Sequence, residues 1–481
     1  MSVVKGVADS FFAFPKDFLF GASTASYQIE GAWNVNGKGE SIWDRFTHTH
    51  PSWIKDSENA DVAADSYHLY KDDIQALTDM KVDFYRFSIA WSRILPKGDT
   101  SLINKDGINY YNNLINELLK HKIQPMVTMY HWDLPQPLQE LGGWPNPLLV
   151  DYFEDFARLL YKNFGDRVKW WVTLNEGAEV AAGYSSPRHY APGVEAPGVG
   201  DYLAAHTLLR AHARAYWLYD SHFRRCQGGN VGITLNSAWV EPLADTEEDH
   251  TASERALQFM LGWLAHPIFT EEGDYPLVMK ERVAHNSKAE GYSHSRLPTF
   301  TADWITALRG SADYFALNHY STLLATPGDA GGVPSKDHDA GVVMSQDPSW
   351  PASASSWLKV VPWGMRKLLN WIAKEYGNPK LIITENGFSD QGQLDDVGRI
   401  NYHKSYLSEV LKAIYIDKCN IIGYTAWSLL DNFEWTRGYT EKFGLYHVDF
   451  SKPSRPRTAK SSSKVYAEII RTRKIPQGDE Q

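Results

Sequence analysis

Eight short runs of apolar, β-branched and aromatic residues recur along this chain, alternating with longer segments of helical spacing. The runs cover 18–22, 84–91, 125–132, 170–175, 231–236, 314–320, 381–384 and 421–428. Amphipathic segments lie at 61–80, 106–121, 147–164, 202–226, 363–376, 399–416 and 458–471. A strand covered by helices on both faces reads as an unbroken apolar run, so the alternation predicts a parallel sheet in an α/β fold. Eight repeats predict a closed single-domain (β/α)8 TIM barrel with its active site at the C-terminal ends of the strands. An open doubly wound sheet is the competitor. It loses support because no run leads into GxGxxG or a GxxxxGK loop ending in Ser or Thr.

The chain has 481 residues, and barrels with insertions reach that length as one domain. The expected barrel domain spans 14–474, with an N-terminal extension at 1–13 and a tail at 475–481. The polar stretch 326–356, rich in Gly, Pro, Ser and Asp, reads as an inserted loop. A net charge of −10 provides no electrostatic footprint for nucleic acid. The cluster Arg471, Arg473 and Lys474 reads as cations at a helix C-terminus. No run reaches the ~18 apolar residues of a membrane helix. Residues 1–12 lack the pattern of a signal peptide. The compartment stays open between cytoplasmic and secreted with a leader removed, the latter preferred. Cys226 and Cys419 form no CxxC pair, and His48 and His50 have no third ligand at metal spacing.

Polar residues cluster where the runs end. The third ends in His131-Trp132-Asp133, the fourth in Thr173-Leu174-Asn175-Glu176 and the sixth in Asn318-His319-Tyr320. The seventh ends in Thr384-Glu385-Asn386-Gly387, and the eighth leads through Trp427-Ser428 to Asp431-Asn432-Phe433-Glu434-Trp435. Glu176 and Glu385 would therefore face each other across one barrel mouth. Glycoside cleavage uses such a pair, one carboxylic acid protonating the leaving oxygen and one carboxylate stabilising or attacking the oxocarbenium-like centre. Taken singly, His131 reads as a core histidine, Trp357 and Trp435 as core or surface aromatics, and Arg86 as a structural ion pair. Aromatic residues make up 13% of the chain, enough for a core and for rings that stack on sugars.

Thr173-Leu174-Asn175-Glu176 and Ile383-Thr384-Glu385-Asn386-Gly387 resemble the two catalytic signatures of glycoside hydrolase family 1. The opening segment Phe14-Pro15-Lys16-Asp17-Phe18-Leu19-Phe20-Gly21-Ala22-Ser23-Thr24-Ala25-Ser26-Tyr27-Gln28-Ile29-Glu30-Gly31 resembles the family too. Stretches 356–367 and 423–435 look most like its animal β-glucosidases, those of termite type. The resemblance implies a retaining β-glucosidase with Glu176 as acid/base and Glu385 as nucleophile. It assigns Gln28, His131, Asn175, Trp427, Glu434 and Trp435 to the sugar, with Phe443 at the far end of that pocket. Arg86 and Tyr320 would hold the nucleophile. Trp357, with Asn236 near it, would line the leaving-group side. Arg86 would favour the charged form of Glu385, and burial beside that charge would keep Glu176 protonated, giving a bell-shaped pH profile. The carboxylates supply the proton transfer and the covalent step, so no cofactor is expected. The implied partner is a small β-glucoside or cello-oligosaccharide, and the oligomeric state is left open.

Two positions depart from the family pattern. Gly177 stands where family members usually have proline, which implies a less rigid Glu176 and lower activity. Pro187-Arg188-His189-Tyr190 also differs, near the expected entrance for the leaving group. Glu434 argues for a neutral sugar, because relatives that cleave 6-phosphoglycosides lack this carboxylate. A thioglucosidase or defence-glucoside hydrolase is the alternative. A non-catalytic, klotho-like binding protein is a more distant one, since such relatives lack one of the two glutamates.

Overall fold

The computed structural model describes residues 13–186 and 190–476. Of the expected extension it describes only Ala13, and of the tail only Ile475 and Pro476. Pro187, Arg188 and His189 lie outside the described residues.

All eight runs form strands: β1 (Leu19–Ser23), β2 (Phe84–Ser88), β3 (Gln124–Tyr130), β4 (Trp170–Asn175), β5 (Asn230–Asn236), β6 (Phe315–Asn318), β7 (Leu381–Asn386) and β8 (Ile421–Trp427). Each pairs in parallel with its neighbour in sequence, and β8 closes on β1 with Leu19 opposite Gly423. The second run is shorter than expected. Its strand stops at Ser88, and the chain turns into a short helix, Trp91–Ile94, whose Trp91 stacks on Phe156 at 4.6 Å outside the barrel.

The barrel interior is built in layers, because alternate side chains along a strand share one face. Phe84, Met126, Val172, Tyr314, Ala316 and Ile382 form a separate apolar plug. Two glycines make room for its rings: a Cβ on Gly21 would lie 2.5 Å from Phe84, and one on Gly232 2.7 Å from Tyr314. Two residues further along their strands, Arg86, Thr128 and Thr384 replace the apolar side chains, and Arg86 Nε donates to Thr128 Oγ1 at 3.1 Å. The polar layer is therefore set by strand periodicity above a sealed floor.

The expected helices pack around this barrel as Ser66–Met80, Lys105–Lys120, Leu149–Phe164, Gly200–His222, Pro362–Glu375, Val397–Tyr415 and Ser461–Thr472. The crossover between β5 and β6 contains helices at Glu247–Leu257, Trp263–Phe269, Leu277–Ala289 and Ala302–Leu308. The stretch 326–356 is more ordered than its composition suggests. It contains a helix, Lys336–Ala340, and a strand, Val342–Ser345, paired antiparallel with Thr322–Pro327. Buried Asp339 pins it to the crossover between β5 and β6 and to the helix Gly200–His222, accepting from Arg296 Nη2 at 2.7 Å, Tyr202 at 2.6 Å and Asn286 at 3.0 Å. Cys226 is exposed, Cys419 is buried, and both are free thiols. Arg473 does more than meet a helix end, since its guanidinium donates to the Phe18 carbonyl at 2.6 Å and ties the last helix to β1.

Candidate active site

Strand alternation alone would not aim both glutamates into one mouth. On β4 the register shifts between Val172 and Asn175, and on β7 it shifts between Ile383 and Glu385. Such irregularities re-aim side chains at a barrel rim. Immediately after β4, Glu176 adopts left-handed backbone, φ 52° and ψ 64°, and its carbonyl starts the helix Gly177–Ala182. A non-glycine residue in that region carries strain of about 1–2 kcal/mol, which the surroundings must over-determine. Asn318 Nδ2, at the end of β6, donates to Glu176 Oε1 at 2.6 Å. Gly177 lies in the helical turn and not in the left-handed region, and a Cβ there would sit 3.1 Å from Leu264 Cδ1.

Glu385 is held from two sides. Arg86, fully buried, donates from Nη1 to Glu385 Oε1 at 2.7 Å, and the Tyr320 hydroxyl donates to Oε2 at 2.7 Å. Arg86 also donates from Nη2 to Asn175 Oδ1 at 2.6 Å and from Nη1 to Ser23 Oγ at 3.2 Å, so one guanidinium ties together β1, β2, β4 and β7. Glu176 has the opposite environment. Burial first, then the charges of Glu385 and Glu179, hold its carboxyl well above the usual carboxylate range, against smaller opposing effects of Asn318 and Arg86.

Beside this pair, Asn175 Nδ2 meets His131 Nε2 at 3.1 Å. An amide N–H only donates, so Nε2 accepts and the imidazole proton sits on Nδ1. Burial first, then Arg86, keeps that ring neutral. His131 Nδ1 and Gln28 Oε1 are both buried and have no hydrogen-bond partner among the described residues. Gln28 Nε2 is anchored by Asn432 Oδ1 at 3.0 Å and the Phe433 carbonyl at 2.8 Å. Trp427 Nε1 donates to Glu434 Oε1 at 3.4 Å. Burial first, then the charge of Glu441, pushes the Glu434 carboxyl up to about 8. Trp435 stacks parallel to Tyr27 and tilts against Trp132 at 4.5 Å. Phe443 and Trp357 both set ring edges against Tyr320, and Trp357 is 50% exposed at the rim. Asn236 Nδ2 donates to Glu179 Oε1 at 2.9 Å.

A family model described as glycosyl hydrolase family 1 matches residues 11–475. This chain belongs to glycosyl hydrolase family 1. Myrosinase 1 of Brevicoryne brassicae is 52% identical over 465 residues, covering 96% of this chain and 99% of that protein. The cytosolic beta-glucosidase of Homo sapiens is 44% identical over 467 residues, covering 95% of this chain and 98% of that protein. A rice beta-glucosidase, solved as a mutant in a covalent complex with Glc, superimposes with a TM-score of 0.89 at 40% identity over 94% of this chain and 98% of that one. The chain is thus a family 1 glycoside hydrolase on a (β/α)8 barrel, and an insect protein stands among its similar relatives, as the animal-type likeness implied.

The family 1 barrel draws most of the sequence candidates into one contact network, running from His131, with Trp427 and Trp435 against its ring, through Asn175, Arg86 and Glu385 to Tyr320, Trp357 and Phe443, while Gln28 is anchored separately by Asn432 and Phe433. Asn236 joins it through Glu179. Three residues were missed. Asn318 bridges Asn175 and Glu176 and accepts from Thr384 Oγ1, and its place at a strand end was the available signal. Glu179 and Glu441 follow a candidate by three and seven residues, and nothing local distinguishes them from surface acids.

Just past the C-terminal end of β3, Asp133 is buried, with one oxygen accepting from Ser26 Oγ at 2.6 Å and the other without a partner among the described residues. Burial pushes its carboxyl up to about 7. An acid raised on folding gives its full stability below the unfolded value near 4. That contribution drains away as pH rises to about 7, and the loss is complete above it. Asparagine mimics the protonated form. Asp133→Asn is therefore expected to match the wild type at pH 4 and to exceed it by up to roughly 4 kcal/mol at pH 8. Urea midpoints at the two pH values decide this, and a variant less stable than wild type at pH 8 contradicts it.

Proposed function

We propose that this chain is a retaining β-glucosidase that removes terminal β-linked glucose, with Glu176 as acid/base and Glu385 as nucleophile. One observation carries the reading: the two buried glutamates sit in opposite electrostatic settings. Glu385 is clamped by a guanidinium and a phenol, as suits a carboxylate that attacks carbon. Glu176 meets negative charge and a neutral amide, as suits a carboxylic acid that gives up a proton.

In the first step Glu385 attacks the anomeric carbon while Glu176 protonates the departing oxygen, leaving a covalent glucosyl-enzyme. The charge on Glu385 is then gone, the proton affinity of Glu176 falls, and Glu176 takes a proton from water as the ester is cleaved. The rice relative's covalent complex with Glc supports this order of events by analogy. His131 Nδ1 and Gln28 Oε1 present a donor and an acceptor to sugar hydroxyls, and an unpaired buried polar atom favours a ligand that satisfies it. Asn175, Glu434, Trp427 and Trp435 complete the sugar side, with Phe443 behind them, while Trp357 and Asn236 face the leaving group. The myrosinase relative keeps a thioglucosidase reading in view. The retained acid at Glu176 supports O-glycosides, whose leaving oxygen needs protonation.

Proton NMR during hydrolysis of an aryl β-D-glucoside tests the mechanism. β-Glucose is expected first, and α-glucose first overturns the double displacement. A thioglucoside cleaved faster than its oxygen counterpart would replace the O-glucosidase reading. Silence towards every β-glycoside would favour a binding protein.

A further inference from the structure

Three loops of the barrel mouth meet at a buried cluster that the mechanism does not use. Glu441 lies seven residues after Glu434. Its Oε2 accepts from Ser355 Oγ at 2.5 Å, and its Oε1 accepts from Arg437 Nε at 2.7 Å. Ser355 lies two residues before Trp357, and its backbone N–H donates to Ser389 Oγ at 2.9 Å. Ser389 Oγ donates in turn to Ser355 Oγ at 2.7 Å, from a position four residues after Glu385. Glu441, Ser355 and Ser389 are all almost fully buried. A buried carboxylate that makes charge-assisted hydrogen bonds of this kind holds its partners more firmly than neutral pairs do.

We propose that Glu441 is a positioning residue that joins the two halves of the substrate site, strapping the loop that carries Trp357 to the loop that carries Glu434. The proposal rests on the assignment of Glu434 to the sugar side and Trp357 to the leaving-group side. Its consequence is reciprocal: a change made only on the Trp357 loop alters sugar binding, because both loops share one anchor. The same carboxylate acts on Glu434 electrostatically. Glu434 is faced by the charges of Glu441 and Glu385, by hydrogen bonds from Trp427 and Asn432, and by the hydroxyls of Tyr320 and Tyr190. Among these, Glu441 is the largest influence after burial in holding the Glu434 proton.

Calorimetric titration with glucose, a ligand with no leaving group to touch Trp357, reads this directly. Ser355→Ala removes the strap without touching a sugar-side residue and is expected to weaken glucose binding roughly fivefold. Ser355→Thr, which keeps the hydroxyl, should restore it. Glu441→Gln keeps an acceptor for Ser355 but removes the charge, so Glu434 should ionise at lower pH. The pH at which glucose affinity changes should then move down from about 8. Ser389→Ala is the second strap variant should Ser355→Ala fail to fold. Unchanged affinity in the strap variant, or an unmoved pH midpoint in Glu441→Gln, overturns the coupling while leaving the sugar-site assignment standing. Wild type that does not bind glucose at all overturns both.

Discussion

Glu385→Gly will lower kcat on aryl β-glucosides by a factor on the order of 10⁴ or more, about 5 kcal/mol of transition-state stabilisation. The size follows from the role proposed for this residue. The first chemical step forms a bond to its carboxylate, and no neighbour replaces that bond. Arg86 and Tyr320 serve Glu385 as hydrogen-bond donors, and Glu176 is committed to the leaving oxygen. Azide supplied to the shortened side chain should attack from the vacated face in a single displacement and yield the α-glucosyl azide. In Glu176→Ala, azide should instead intercept the glucosyl-enzyme and yield the β-glucosyl azide from substrates with good leaving groups. Product anomers by NMR therefore separate the two roles. The same anomer from both variants, or a Glu385→Gly enzyme within tenfold of wild type, would remove the assignment.

Arg86→Met should cost both stability and activity. Its guanidinium is buried and engages Glu385, Asn175, Thr128 and Ser23, besides the Thr384 carbonyl at 3.2 Å. Removing one partner of a buried ion pair leaves the other charge uncompensated, at a typical cost of about 3–5 kcal/mol. Methionine fills much of the space, so the loss is electrostatic more than steric. Asn175 would keep only the amide of Asn318 on its Oδ1 and lose its rigid placement. Arg86→Lys retains the charge but not the fork that spans Glu385 and Asn175, so it should fall between the two. Urea unfolding and kcat measured together test this. A methionine variant with wild-type midpoint and rate would show that Tyr320 alone suffices for Glu385.

How much was legible can be followed along individual strands. β4 and β7 were read within a residue or two of their limits, because strands covered on both faces must be apolar throughout and Gly or polar residues punctuate them. The segment 326–356 was not legible as structure. Its order comes from Asp339 and the distant Arg296, whose pairing has no local signature. Asn318 stood in a strand-end motif that was read, yet its bridging role appears only once β4, β6 and β7 are adjacent.

The sequence by itself determined the number of barrel strands, their order, the polar character of their C-terminal ends and the family to which the chain belongs. These are properties of local pattern, since burial periodicity and motif spacing are written along the chain. Only the tertiary structure decided where those side chains point and what charge they feel. Register shifts on β4 and β7 aim Asn175 and Glu385, and the tautomer of His131 follows from an amide on another strand. The proton on Glu176 depends on burial and on Glu385, which lies more than two hundred residues away along the chain. Electrostatic energy depends on distance through space and on exclusion of water, and neither is a property of position along the chain.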